Sequence, residues 1–177
     1  MRVLVTGALN PFGRAVVAGL AAAGHKVRAF GVAPGQDPFH GVAGVECFPG
    51  QVKLAGSIEP AMCECQAIVH CANLDEPVAD AREHEIHIER GTLYTRYGAE
   101  REFVGSLVYV APWSPGRKWG EALKAAEAHI DGARVPHATV RADPANPAAA
   151  VEQVLQAVGR TTAIQHQGTA SPATAPV

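Results

Sequence analysis

The hydrophobic positions of the chain follow two alternating rhythms. Arg2-Val3-Leu4-Val5-Thr6 is a short apolar, β-branched run of the kind that makes a buried parallel strand. After Gly7 and a tight loop, Phe12, Ala15, Val16, Leu20 and Ala23 recur at helical spacing. Asn10-Pro11 supplies an N-cap with proline at the first helical position, and Gly24 is placed to end the helix. His25–Phe30 then predicts a second strand. The alternation continues with a third strand at Val45–Phe48, a short helix capped by Ser57 and ending at Met62, and an apolar fourth strand at Ala67–Ala72. Asp75–Arg101, the most polar stretch, predicts a long helix bent or interrupted near Gly91. Phe103–Val110 predicts a fifth strand, Gly120–Ile130 a helix, Pro136–Arg141 a sixth strand and Asn146–Val158 a further helix, and Arg160–Gln165 offers a seventh strand. Gly31–Gly44, rich in Gly and Pro, reads as loop, and the low-complexity TASPATAPV after Gly168 as a mobile tail. Strands alternating with helices predict an α/β fold: a doubly wound parallel sheet of about six or seven strands with helices on both faces. One domain over residues 1–168 and a tail at 169–177 are expected.

A strand, a Gly-containing turn, a helix and a second strand within about 30 residues form the first half of a dinucleotide-binding βαβ unit. A helix N-terminus offers unpaired N–H groups and partial positive charge, so a pyrophosphate sits there well if no side chain blocks it. Gly7 permits the tight turn, and Gly13 lets the helix pack closely on the strand. The middle glycine of the usual pattern is missing. Asn10 stands in its place, a residue that tolerates the left-handed conformation but brings a side chain expected to crowd the phosphates.

Thr6-Gly7-Ala8-Leu9-Asn10-Pro11-Phe12-Gly13-Arg14 resembles the T-G-A-x-G-x-x-G opening of short-chain dehydrogenases/reductases, in particular the extended and atypical branches that include the NAD(P)-dependent epimerase/dehydratases. Further along, Ile68-Val69-His70-Cys71-Ala72 is similar to the family's V-I-H-L-A-A. Gly91-Thr92-Leu93 is similar to its N-x-x-G-T-x-N, with Ile88 at the first asparagine, and Leu107–Pro112 to its F-V-Y-V-S-S. The resemblance implies a Rossmann-type fold and a dinucleotide, NAD or NADP. It places Gly7, Leu9, Asn10, Pro11, Phe12 and Gly13 around the pyrophosphate, Gly31 at the end of the second strand, Gln51 and Val52 beside the adenine, and Cys71 and Ala72 against the ribose and pyrophosphate. Two further positions depart from the pattern. Gln51 replaces an aspartate that contacts the adenine amino group and keeps one carbonyl acceptor. Gly31-Val32-Ala33 carries no acid for the ribose hydroxyls, and the nearest arginine, Arg28, lies inside the strand. An acid-free strand end favours NADP, or loose binding of either cofactor.

The family's proton relay uses a Ser or Thr after the fifth strand and a Tyr-x-x-x-Lys pair on the next helix, the lysine lowering the pKa of the tyrosine. The matching positions here hold Ala111 and Pro112, then Trp119 and Leu123. Lys124 is one residue further on, about 100° round the helix. Indole exchanges no proton near neutral pH, so no catalytic residue is assigned, with Ser114 and Lys118 the nearby groups that could be recruited. A substrate-binding subdomain expected after Thr139-Val140-Arg141 is reduced to a few residues before the next helix begins.

Composition narrows the setting. The chain has 177 residues, 47% hydrophobic and 18% charged, enough for one globular domain with a real core. A net charge of -2 and a pI near 6.4 give no field for nucleic acid and no polybasic membrane anchor. No apolar run approaches the ~20 residues of a spanning helix. Met1 leads directly into the first strand, so the cytoplasm is the expected location and the four cysteines are expected to be reduced thiols. Cys63-x-Cys65 lacks the paired spacing of a zinc knuckle, and His84 and His87 do not form H-E-x-x-H; no metal site is assigned. Tyr109, Trp113 and Trp119 are placed to line an emptied active-site cleft. Three functions remain open on these residues: a non-catalytic nucleotide sensor or partner subunit, an atypical NAD(P)H-dependent oxidoreductase acting on a planar acceptor such as a flavin or quinone, and an interaction module without nucleotide. The resemblance further implies a homodimer or heteromeric pairing through the helices at 75–101 and 120–130.

Overall fold

A computed structural model describes residues 1–74, 80–113, 119–143 and 145–168, the last eight of these by backbone only. Six strands, β1 (Arg2–Thr6), β2 (Lys26–Val32), β3 (Val45–Pro49), β4 (Ala67–His70), β5 (Ser106–Pro112) and β6 (His137–Ala142), form one sheet in the order β3-β2-β1-β4-β5-β6. All neighbours run parallel; Val5, for example, lies between Ala29 of β2 and Val69 of β4. Strand order reverses between β1 and β4, which opens a crevice at the carboxyl ends of these two strands.

The period-2 alternation of β1 distributes its side chains to two cores. Val3 and Val5 face α1 (Pro11–Ala22) and α5 (Pro147–Gly168), packing with Val16, Val17, Leu20, Val154 and Val158. Leu4 faces the other way, with Phe30, Ile68 and Leu107, onto α2 (Ala55–Met62), α3 (Ala81–Arg101) and α4 (Gly120–Asp131). Burial of β1 on both faces is what its unbroken apolar run requires.

Three local expectations are corrected. No seventh strand forms at Arg160–Gln165; α5 runs unbroken from Pro147 to Gly168. Ala150, Val154 and Val158 set a four-residue rhythm onto the core, and the helix continues through Gly159. The bend near Gly91 is absent, because α3 is continuous and this glycine admits a neighbour instead: a Cβ here would lie 2.9 Å from Val52 Cγ2. Ser57 does not cap its helix, which starts two residues earlier; its Oγ accepts the Gln51 N–H at 2.9 Å and ties down the turn after β3. The part of the expected long helix at 75–79 and the tail at 169–177 lie outside the described residues.

Candidate functional site

The turn between β1 and α1 is fixed by close backbone approach. Gly7 has φ +64°, and a Cβ on it would lie 2.6 Å from the Ala72 N of the segment after β4. A Cβ on Gly13 would lie 2.0 Å from the Gly7 carbonyl oxygen. Both glycines are therefore required by packing before any ligand is considered. Asn10 departs from the sequence expectation in two ways. Its backbone is extended (φ -69°, ψ 158°) rather than left-handed, and its side chain is folded back onto the turn, 8% exposed. Its Oδ1 accepts the Gly13 N–H at 2.7 Å and its Nδ2 donates to the Cys71 carbonyl at 3.0 Å.

This cap changes the supply of donors at the helix start. An α-helix begins with N–H groups that have no partner within the helix. Here Gly13 gives its N–H to Asn10, Pro11 has none, and the Arg14 N–H closes onto the Asn10 carbonyl at 2.9 Å. Phe12 is left to present its N–H to an anion. The positive end of the helix dipole is retained, with fewer directed donors than a glycine at position 10 would leave.

Two cavities flank this turn. On the β2–β3 side, about 310 Å³ is enclosed by Gly7, Ala8, Leu9, Phe30, Gly31, Gly50, Gln51, Val52, Lys53 and His87. Five predicted site residues, Gly7, Leu9, Gly31, Gln51 and Val52, thus meet in one place. On the β4–β6 side, Asn10, Pro11 and Phe12 open a wider apolar cleft of about 680 Å³, with Leu74, Ala142 and Pro147 among its walls. Cys71 and Ala72 are fully buried beneath the turn and meet it through their backbone atoms. Arg28 is fully engaged elsewhere, bonded to Glu46 at 2.5 Å and donating to the Ala61 and Cys63 carbonyls.

The relay positions hold other chemistry. Leu123 is buried in the core of the α2–α4 face, while Lys124 is exposed and bonded to Glu121. Trp119 meets the His84 ring edge-on, with centroids 4.5 Å apart. Ser114 and Lys118 lie outside the described residues. The aromatic lining expected of the cleft is not found: Tyr109 is buried, Trp113 is exposed, and none of Tyr109, Trp113 and Trp119 is among the described residues around either cavity. Burial pushes the Tyr109 hydroxyl up to about 12, against a hydrogen bond from Asn73 that works the other way.

A buried polar chain behind the turn escaped the sequence reading. His70 Nδ1 lies 2.7 Å from Thr6 Oγ1 and 3.2 Å from Thr95 Oγ1, and its Nε2 lies 3.3 Å from Thr92 Oγ1. Asn73 Nδ2 donates to both Thr92 Oγ1 and Tyr109 Oη at 3.0 Å. The network joins β1, β4, β5 and α3 at the switch point. Its signal was present as a histidine in an apolar strand and threonines at helical spacing in α3. The cysteines form no cluster: Cys63 is exposed, Cys47 donates to Asp37, and burial pushes Cys65 up to about 11. Among the described residues, no three His, Cys, Asp or Glu side chains are disposed to hold a metal ion, and no helix is long and apolar enough to cross a membrane.

The topology and the crevice define a Rossmann-type α/β domain. No protein-family model and no curated protein matches the sequence. Solved structures do match in fold. They include the Bordetella bronchiseptica enzyme WbmG in complex with NAD, at 23% identity and TM-score 0.69, covering 80% of this chain and 52% of that one. DesIV, a dTDP-glucose 4,6-dehydratase from Streptomyces venezuelae with NAD and TYD bound, matches at 18% identity and TM-score 0.68, covering 80% and 55%. A short-chain dehydrogenase/reductase superfamily protein from Agrobacterium tumefaciens with bound NAD matches at 21% identity and TM-score 0.64, covering 80% and 48%. The chain thus spans about half the length of the structures it matches. The likeness is one of fold, and it agrees with the resemblance carried by Thr6–Arg14.

Proposed function

We propose that the chain is an NAD(P)-binding protein of the short-chain dehydrogenase/epimerase type that does not run the tyrosine–lysine relay, and that it works as a nucleotide sensor or partner subunit. The observation that carries this reading is the turn itself. Gly7, Gly13 and the start of α1 keep the shape of a pyrophosphate cradle, with an adenosine-sized cavity on one side and an apolar cleft on the other. Trp119, buried Leu123 and outward-facing Lys124 offer no acid/base pair beside it. The acid-free end of β2 supports NADP over NAD. Helices α3 and α4 lie side by side and offer the surface for pairing with a second copy or another subunit. A calorimetric titration with NADPH and with NADH tests the reading: saturable micromolar binding without turnover is expected. A flat titration with both would overturn it and leave the interaction-module alternative.

The apolar cleft favours one second reading. A bound nicotinamide supplies hydride, and a flat acceptor seated beside Phe12 and Leu74 would need proximity and orientation more than a protein proton relay. Oxidation of NADPH in the presence of flavins or quinones would establish this reading over the first.

A further inference from the structure

One lysine, which no expected cofactor contact uses, is among the residues that line the adenosine-side cavity. Lys53 lines it from the turn between β3 and α2, with its side chain only 25% exposed. The ammonium is paired to Glu83, which stands in the first turn of α3 and has its own N–H capped by Asp80. His87, one turn further along α3, belongs to the same wall. Gly31, the strand-end position that would carry a ribose-binding acid, is bare; its φ is +100° and no atom lies within 4 Å of where a Cβ would stand. Among the described residues lining this cavity there is no carboxylate, and Arg28 is held by Glu46 and two carbonyls outside it.

We propose that Lys53 is a specificity-determining residue, selecting a dinucleotide that carries a phosphate on its adenosine ribose, and that Glu83 is the anion that holds and competes for its ammonium. This rests on the dinucleotide-binding reading above. An ammonium has three donors, so Lys53 can keep one bond to Glu83 while giving others to phosphate oxygens. A phosphate adds the attraction of opposite charges to the ammonium's hydrogen bond, which a neutral ribose hydroxyl does not, so the same lysine contributes less to the unphosphorylated cofactor. The missing acid at position 31 removes the charge that would repel the phosphate. Glu83 acts in the opposite sense, because its own charge opposes that of the incoming phosphate.

The two side chains are therefore predicted to move affinity in opposite directions, and for one cofactor only. Calorimetric titration of NADPH and NADH into the parent chain, Lys53→Gln, Lys53→Arg and Glu83→Gln measures this. NADPH is expected to bind the parent more tightly than NADH. Lys53→Gln should weaken NADPH by about tenfold while leaving NADH nearly unchanged. Lys53→Arg should keep the preference, and Glu83→Gln should tighten NADPH by about two- to fivefold. Equal affinities in the parent, or equal losses for both cofactors in Lys53→Gln, would overturn the proposal and leave Lys53 as a tie between the turn and α3. In that case NADH binding would still uphold the dinucleotide reading. Binding of neither cofactor by the parent would overturn both.

Discussion

At the scale of single residues, Asn10 decides how the turn treats an anion. Its side chain makes a cap bond to Gly13 and a long-range bond to the Cys71 carbonyl, 61 residues along the chain. The first satisfies the helix start and the second holds the end of β4 against the turn. The first comes at the cost of a free N–H at Gly13. Asn10→Gly removes the side chain, and the cap itself loses only a few tenths of a kcal/mol because glycine is tolerated there. With the Cys71 bond also gone, folding stability is expected to drop by about 1–2 kcal/mol. Dinucleotide affinity is expected to rise, since the Gly13 N–H becomes available to the pyrophosphate. Thermal melting and calorimetry on one preparation read both effects; a variant that loses stability without gaining affinity would show that the cap does not compete with ligand. The position of Asn10 in the motif was legible in the sequence, but its orientation was not. Residue spacing cannot show that a carbonyl far along the chain will accept the amide hydrogen. The same limit hid the His70–Thr92–Asn73 network, whose members come from three separate elements.

Among the elements, strands and helices that pack on both sides were readable because their apolar patterns are long and strongly periodic. The apolar pattern of β1 ends where the strand does, at Arg2 and Thr6, and the start signals of α1, α4 and α5 lie within a residue of the observed helix starts. The errors arose where local propensity and tertiary contact disagree. Arg160–Gln165 contains two adjacent threonines, which suit a strand, yet the core rhythm of α5 carries the helix through them. Gly91 suggested a bend by propensity, whereas the packing of Val52 explains it. Two helical glycines are thus predicted to respond oppositely to alanine. At Gly159 a Cβ meets nothing within 4 Å, so Gly159→Ala should stabilise the fold by about 0.5–1 kcal/mol. At Gly91 the same gain is offset by an overpacking cost of about 1–3 kcal/mol, so Gly91→Ala should destabilise. Val52 lines the adenosine-side cavity, and its displacement should weaken dinucleotide binding as well. Denaturant midpoints of the two variants check the pair; stabilisation by Gly91→Ala would mean that Val52 yields freely.

The molecule as a whole has two cores separated by one sheet, and its titrating groups give it a pH response on both the acid and the alkaline side. Glu100 is held below the usual carboxylate range: burial pushes it up, but the Arg134 N–H and the Arg96 guanidinium pull it further down. His25 is lowered by burial, with the N-terminal ammonium adding to it. Depressed groups of this kind contribute stability above their unfolded pKa and lose it as pH falls through the folded value, so both weaken the fold in acid. On the alkaline side, Cys65 and Tyr109 lie in the core under α2, α3 and α4, and Cys47, also raised by burial, packs against the other core. Burial raises the Cys65 thiol from 9.0 to about 11 and the Tyr109 hydroxyl from 10.0 to about 12. Here the folded values lie above the unfolded ones. The unfolded chain gives up these protons first, so stability is complete below pH 9 and is lost as pH rises towards 11 and then 12. Melting temperature measured from pH 7 to 11 should therefore hold level and then fall. Other groups also titrate in that range, so the informative quantity is the difference between variants. Cys65→Ala removes the earlier contribution and Tyr109→Phe the later one. Each variant starts less stable at pH 7, through a lost contact or an Asn73 amide left with Thr92 alone, but each should show a shallower alkaline decline. A double variant whose decline matches the parent's would place the alkaline weakness outside this core, in Cys47 against α1 and α5 or in the exposed Lys124–Glu121 pair.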